Sequence, residues 1–151
     1  MSLDSTSDLN AVIHFFYEDV TFELENRDST IQWLLDVYKQ EKKDVAALNY
    51  IFCSDDYLHQ INLQYLNHDT LTDIITFSNA REGVAIEGDI FISIDRVRDN
   101  ARDFGVSFEK ELLRVLVHGS LHLMGYKDKR PEEQEIMTQK ENFYTDLFWK
   151  Q

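Results

Sequence analysis

The chain has 151 residues, of which 43% are hydrophobic and 13% aromatic, enough for one packed core and too many for a disordered segment. One proline and five glycines exclude a collagen-like or linker-rich polymer, and a net charge of −13 argues against nonspecific binding to nucleic acid or an anionic membrane. With a lone cysteine, Cys53, acids at Asp4, Asp8, Glu18 and Asp19, and no apolar run near the roughly 20 residues that span a bilayer, a cytoplasmic protein with no membrane partner is expected.

In chain order, Val12 to Tyr17 is β-branched and aromatic and predicts a strand. The Asn26 to Thr30 cluster then offers N-cap chemistry for a helix spaced by Ile31, Leu34, Leu35 and Tyr38. Val45 to Cys53 alternates Leu48, Tyr50 and Phe52 on one face of a second strand, and Ser54, Asp55 and Asp56 open a helix through Leu58, Ile61 and Tyr65. Thr72 to Phe77 and Gly88 to Ser93 predict two more strands, joined by a segment with Asn79, Glu82 and Gly83 that suits an antiparallel connection.

Asp95 to Phe104 predicts a short basic helix ended by Gly105. Ser107 caps the next helix, whose run LLRVLVHGSLHLM is apolar on nearly every side, as a helix crossing the core should be; Gly125 ends it. Pro131, Glu132 and Glu133 start a last helix along Ile136, Phe143, Tyr144, Leu147 and Phe148. The expected fold is α+β: a single domain over residues 1–151 with a small mixed four-stranded sheet and about five packed helices.

Chemistry gathers on the core helix. His118 and His122 are four residues apart, so their rings leave one face with a rise of about 6 Å and an offset of about 40°. A turn at Gly125 would bring the Asp128 carboxylate beside them. Two neutral imidazoles and one carboxylate are ligands that zinc accepts, with a fourth position left for water, and an open site of that form points to hydrolysis. Histidines in an apolar helix are also satisfied by ordinary backbone hydrogen bonds; Gly125 and Asp128 at these offsets favour a shared ion.

Gly119 stands where zinc peptidases of the H-E-x-x-H type carry their general base, which disfavours peptidase chemistry. It admits two readings: close approach of backbone or substrate to the metal, or tight packing of helix on strand. The segment Ile94 to Arg130 holds eight cations, Arg96, Arg98, Arg102, Lys110, Arg114, Lys127, Lys129 and Arg130, against six acids, while the remaining 114 residues carry −15. The net-positive stretch thus contains the proposed metal group, which favours a phosphate-bearing substrate, unless the lysines merely keep a loop soluble. Lys127, Lys129 and Arg130 are candidate substrate contacts. Thr72 and Asp73, at a strand start, are candidates for lining the cleft or for a turn, and Tyr126 is expected to pack.

The motif HGSLHLMGYKD resembles the signature H-G-x-L-H-L-x-G-Y-D-H of the YbeY family of bacterial rRNA maturation endoribonucleases, matching at His118, Gly119, Leu121, His122, Leu123, Gly125 and Tyr126. Upstream, INLQYLNHDTLTDIITFS resembles a second family block at Asn62, Tyr65, Asp69, Thr72, Asp73 and Phe77, and Gly88 to Ile90 matches the next strand. The resemblance covers roughly Ile61 to Met137. It implies a metalloprotein holding one Zn2+ ion per chain through His118, His122 and the residue at 128, acting on single-stranded ribosomal RNA in 16S 3′-end processing and ribosome quality control, with the ribosome or its proteins as partners. The chain departs from the family pattern with Asp128 for histidine, Leu66 for arginine, Leu71 and Ser78 for proline, and Lys127 for aspartate. A metal-dependent hydrolase of another bond, weakened by Gly119, and an assembly factor with a structural metal, suggested by Leu66 and the charge, are the rival readings.

Overall fold

The computed structural model describes residues 12–68, 72–79 and 83–150; Asp4, Asp8, Asp69, Leu71 and Glu82, used above, lie outside them. Among the described residues, four strands and five helices alternate at first and then run on as helices: β1 (Ile13–Tyr17), α1 (Arg27–Gln40), β2 (Val45–Cys53), α2 (Asp55–Leu66), β3 (Ile74–Ser78), β4 (Ile86–Ser93), α3 (Ile94–Phe104), α4 (Phe108–Leu123) and α5 (Pro131–Trp149). The sheet order is β1-β2-β4-β3. β1, β2 and β4 are parallel, while β3 pairs antiparallel to β4 at an edge, with Ile74 opposite Ile92 and Ser78 opposite Gly88. This is the mixed α+β sheet expected from the strand patterns.

Side chains alternate across the sheet and divide the helices between its faces. Leu48, Tyr50, Ile90 and Ile92 join Leu34, Val37, Leu116, Leu121, Met137 and Tyr144 in the main core under α1, α4 and α5. On the other face, Ile75, Cys53 and Leu58 form a smaller cluster with Phe77 and Phe91 beneath α2. The apolar run in α4 is accounted for by its central place, with Leu112, Leu113, Val115, Leu116, Val117 and Leu121 all buried.

Ser54, Ser93 and Ser107 cap α2, α3 and α4, each hydroxyl accepting the N–H of the third residue on. From the Asn26 to Thr30 cluster, Asn26 takes the N-cap position of α1 but makes no side-chain cap hydrogen bond. Asn26 adopts φ +54° at the α1 start, and the Thr30 hydroxyl donates back to its carbonyl instead. Gly119 proves to be a packing glycine. A Cβ there would lie 2.8 Å from Ile74 Cδ1 and 3.0 Å from Ile90 Cγ2, so α4 rests directly on β3 and β4, and the alternative of a glycine opening toward a metal is set aside. Among the described residues no helix is long and apolar enough to cross a membrane.

Candidate metal centre

His118 and His122 sit on the last two turns of α4, where the helix leaves the core. The chain then reverses at Gly125, whose φ of +110° is open to glycine at little cost, and Gly125 and Tyr126 donate back to the carbonyls of His122 and Leu121. The return segment is fixed again at the α5 start, where the Glu133 carboxylate accepts the N–H groups of Lys129 and Arg130. Between these two anchors lies Asp128. Its Oδ2 is 3.4 Å from His118 Nε2 and 3.3 Å from His122 Nε2, and the two Nε2 atoms are 2.9 Å apart.

The outer ring nitrogens determine what the inner ones present. His118 Nδ1 donates to Glu141 Oε2 at 2.5 Å, and His122 Nδ1 donates to the Tyr126 carbonyl at 2.9 Å. With protons committed there, both neutral rings turn a bare Nε2 lone pair toward each other and toward a carboxylate oxygen. Three electron-rich atoms within reach of one another call for a cation. Ligand atoms at about 2.0 to 2.1 Å from a tetrahedral ion are about 3.3 to 3.4 Å apart, close to the observed triangle. Residues His118, His122 and Asp128 therefore form a group that can hold a metal ion.

Around this group lies a set of partly or wholly buried acids. Glu141 is buried on α5 and takes the Arg114 guanidinium on its second oxygen at 2.8 Å; Arg114 also reaches Asn142 at 2.7 Å. Burial would lower the pKa of His118, but the hydrogen bond and charge of Glu141, with Asp128 and Asp73 behind it, raise it instead. Burial raises Asp73 against the attraction of His118. Glu111, one of the most buried acids, is pushed up to about 7 by burial, with Arg114 opposing and Asp73 and Glu141 reinforcing the shift. Glu141 escaped the sequence reading, and Arg114 entered it only as one of the cations of the positive stretch. The signal was present, since Arg114 precedes His118 by one helical turn and Glu141 falls on the core stripe of Met137 and Tyr144.

The metal-capable group opens into a cleft of about 470 Å³ between the end of α2, β3 and α4. Thr72, Asp73 and Lys129 line it, together with Asn62, Leu66, His68 and Thr76. Thr72 also donates to the carbonyl of Ile74 in a local turn, so the cleft and turn readings both describe it. Lys127 and Arg130 are not among the lining residues. Arg130 pairs with Glu132 and Glu133, Arg96 with Asp55 and Asp99, Arg102 with Asp99, and Arg114 with Glu141. Arg96, Arg102, Arg114 and Arg130, half the cations of the positive stretch, are thus turned to acids within the fold, and of the flanking cations Lys129 alone lines the cleft. Tyr126 packs as expected, with its hydroxyl donating to Glu41 at 2.6 Å.

Comparison with known proteins adds an independent line. The family model described as Endoribonuclease YbeY matches residues 13–148. A Flavobacterium johnsoniae protein named Endoribonuclease YbeY is 54% identical over 137 residues, covering 91% of this chain and 97% of its own length. A protein of the same name from Cytophaga hutchinsonii is 53% identical over 130 residues, covering 86% and 91%. A solution structure of a Thermotoga maritima protein superposes with a TM-score of 0.65 at 32% identity, over 91% of this chain and 89% of that one.

Proposed function

The chain belongs to the YbeY family, and from that membership and the three converging donors we propose that it is a zinc-dependent endoribonuclease acting in rRNA maturation, at the 3′ end of the small-subunit RNA, and in ribosome quality control. The observation that carries this reading is the meeting of His118 Nε2, His122 Nε2 and Asp128 Oδ2 at the mouth of a cleft. Three ligands of this type suit zinc and leave a position open.

Zinc, when bound, supplies Lewis-acid polarisation of a phosphoryl oxygen and a more acidic water. The protein groups supply the rest. His118 and His122 present their Nε2 atoms because Glu141 and the Tyr126 carbonyl hold the opposite nitrogens, and Asp128 adds a negative charge that tightens the grip on a cation. Lys129, on the cleft wall, attracts the phosphate backbone, while Thr72 offers a hydroxyl to it and Asp73 an acid whose raised pKa suits proton exchange with substrate. Lys127 and Arg130 assist by long-range attraction only. Leu66 makes the wall apolar, so an unstacked base, available in single-stranded RNA, fits it better than a phosphate does. Ribosomal RNA in the cytoplasm, alone or within a ribosomal particle, is the substrate this reading assigns.

Incubating the purified protein with rRNA precursor, with and without a chelator, tests the proposal. Cleavage that stops on chelation and returns with zinc is expected. Cleavage indifferent to chelator removes the metal from the chemistry, and RNA binding without cleavage favours an assembly factor.

A further inference from the structure

A second cluster of ionisable groups ties the end of α1 to the return segment and to α5, and none of its members lines the cleft. Its centre is Glu41, the residue capping the C-terminus of α1, whose side chain is only 8% exposed. Every partner comes from much later in the chain: Tyr126 donates its hydroxyl to Oε1 at 2.6 Å, Lys140 reaches Oε2 at 2.9 Å, and the Tyr144 hydroxyl donates to the same oxygen. The Lys140 ammonium also stands over the Tyr126 ring, 5.1 Å from its centroid. These hydrogen bonds hold the Glu41 carboxyl below its usual range although burial pushes the other way.

One leg of this cluster leads to the ligands. Tyr126 is the residue whose carbonyl accepts the Nδ1 proton of His122, and it follows Gly125, where the backbone gives the least resistance to rotation. The same return segment carries Asp128. Beside that carbonyl contact, Tyr126 is held against the hinge by its N–H bond to the Leu121 carbonyl and by its ring, whose hydroxyl is bound by Glu41 and whose face is covered by Lys140. We propose that Glu41 is a positioning residue for the metal group, acting through Tyr126 to keep the His122 acceptor and the Asp128 segment in register. A carboxylate some 80 residues upstream thereby sets which imidazole nitrogen faces the ion. The inference rests on the metal reading above.

Zinc affinity of the full chain, measured by competition with a chromophoric chelator, and thermal unfolding of the same samples without metal test it together. Glu41→Ala and Tyr126→Phe are each expected to weaken zinc binding by about 10-fold, toward the lower end of what outer partners of ligands contribute. The double variant should lose no more than either alone, because both cut one path. Tyr144→Phe removes a different hydrogen bond from Glu41 and should lower the unfolding temperature while leaving zinc affinity within about twofold; a merely structural Glu41 would group all three variants together. Tyr126→Phe deletes one oxygen and carries the comparison should Glu41→Ala not fold. Wild-type protein that takes up no zinc overturns the metal reading and this inference with it. Wild-type uptake with unchanged affinity in the Tyr126→Phe variant, or equal loss in Tyr144→Phe, overturns this inference alone.

Discussion

Glu141 and His118 are joined by a hydrogen bond of 2.5 Å, and the other oxygen of the same carboxylate takes Arg114 at 2.8 Å. A buried acid on the last helix thus fixes the proton of His118, a proposed ligand on the helix before it. The Glu141→Gln variant keeps the size of the side chain and loses its charge, so His118 becomes a poorer donor to the metal and Arg114 loses its ion partner. Zinc affinity is expected to fall by about 10- to 100-fold, read by competition titration. Unchanged affinity would reduce Glu141 to a packing role.

Glu111 carries a pH prediction. Its pKa in the folded chain is raised from 4.5 to about 7, chiefly by burial, so the native state binds a proton that the unfolded chain releases. The sign follows: stability is unaffected below about pH 4.5, falls as pH rises toward 7 and levels off above it. A shift of this size corresponds to about 3 kcal/mol. Asp73 and His118, both raised, tilt stability the same way. Denaturant unfolding of metal-free protein at pH 5 and pH 7.5 should show the loss, and Glu111→Gln should remove most of it. A variant whose pH slope matches wild type would contradict the assignment.

Gly119→Ala tests the contact between α4 and the sheet. The Ile74 methyl at 2.8 Å is the free end of its side chain and can swing aside, but the Ile90 Cγ2 at 3.0 Å is fixed to a strand residue and cannot. Overpacking of this kind costs about 1 to 3 kcal/mol, against a gain of up to about 1 kcal/mol in helix propensity. A net loss of about 1 kcal/mol is expected, lowering the melting temperature by about 2 to 4 °C. A rise would show that the helix can lift off.

The fold was largely legible because its signals are local. Alternation in Val45 to Cys53, the capping serines at Ser54 and Ser107, and glycines at the ends of α3 and α4 each act within a few residues. The Asn26 to Thr30 cluster was only partly legible, because a side-chain cap depends on the backbone angle actually adopted, and Asn26 stands at φ +54° with no side-chain cap hydrogen bond. The convergence of His118, His122 and Asp128 was readable for the same reason, since these residues and Gly125 are neighbours along the chain. Glu141 and Glu41 were not, because their partners lie 23 and 85 or more residues away and only the packing of α1 and α5 against α4 brings them in. The basic stretch misled in the opposite direction. Arg96, Arg102 and Arg114 are close in sequence, yet each turns to acids of the fold, Arg96 to Asp55 and Asp99, Arg102 to Asp99 and Arg114 to Glu141.

That dispersal of charge makes a prediction about RNA. Lys129 lines the cleft, whereas Arg130 is paired with Glu132 and Glu133 and lies outside it with Lys127. Lys129→Glu should weaken binding to single-stranded RNA and reduce the dependence of log affinity on log salt by about one. Lys127→Glu and Arg130→Glu should change both far less. Equal effects at all three positions would mean that the whole loop, rather than the cleft wall, meets the phosphates.

The most direct test is the zinc content of purified protein in wild type, Asp128→Ala and Asp128→His, with folding checked by circular dichroism. One ion per chain is expected in wild type, little or none in the alanine variant, and restored occupancy with histidine, which offers a neutral donor to the same position. Equal zinc in wild type and Asp128→Ala would contradict the account, because the carboxylate would then stand beside the ion without holding it.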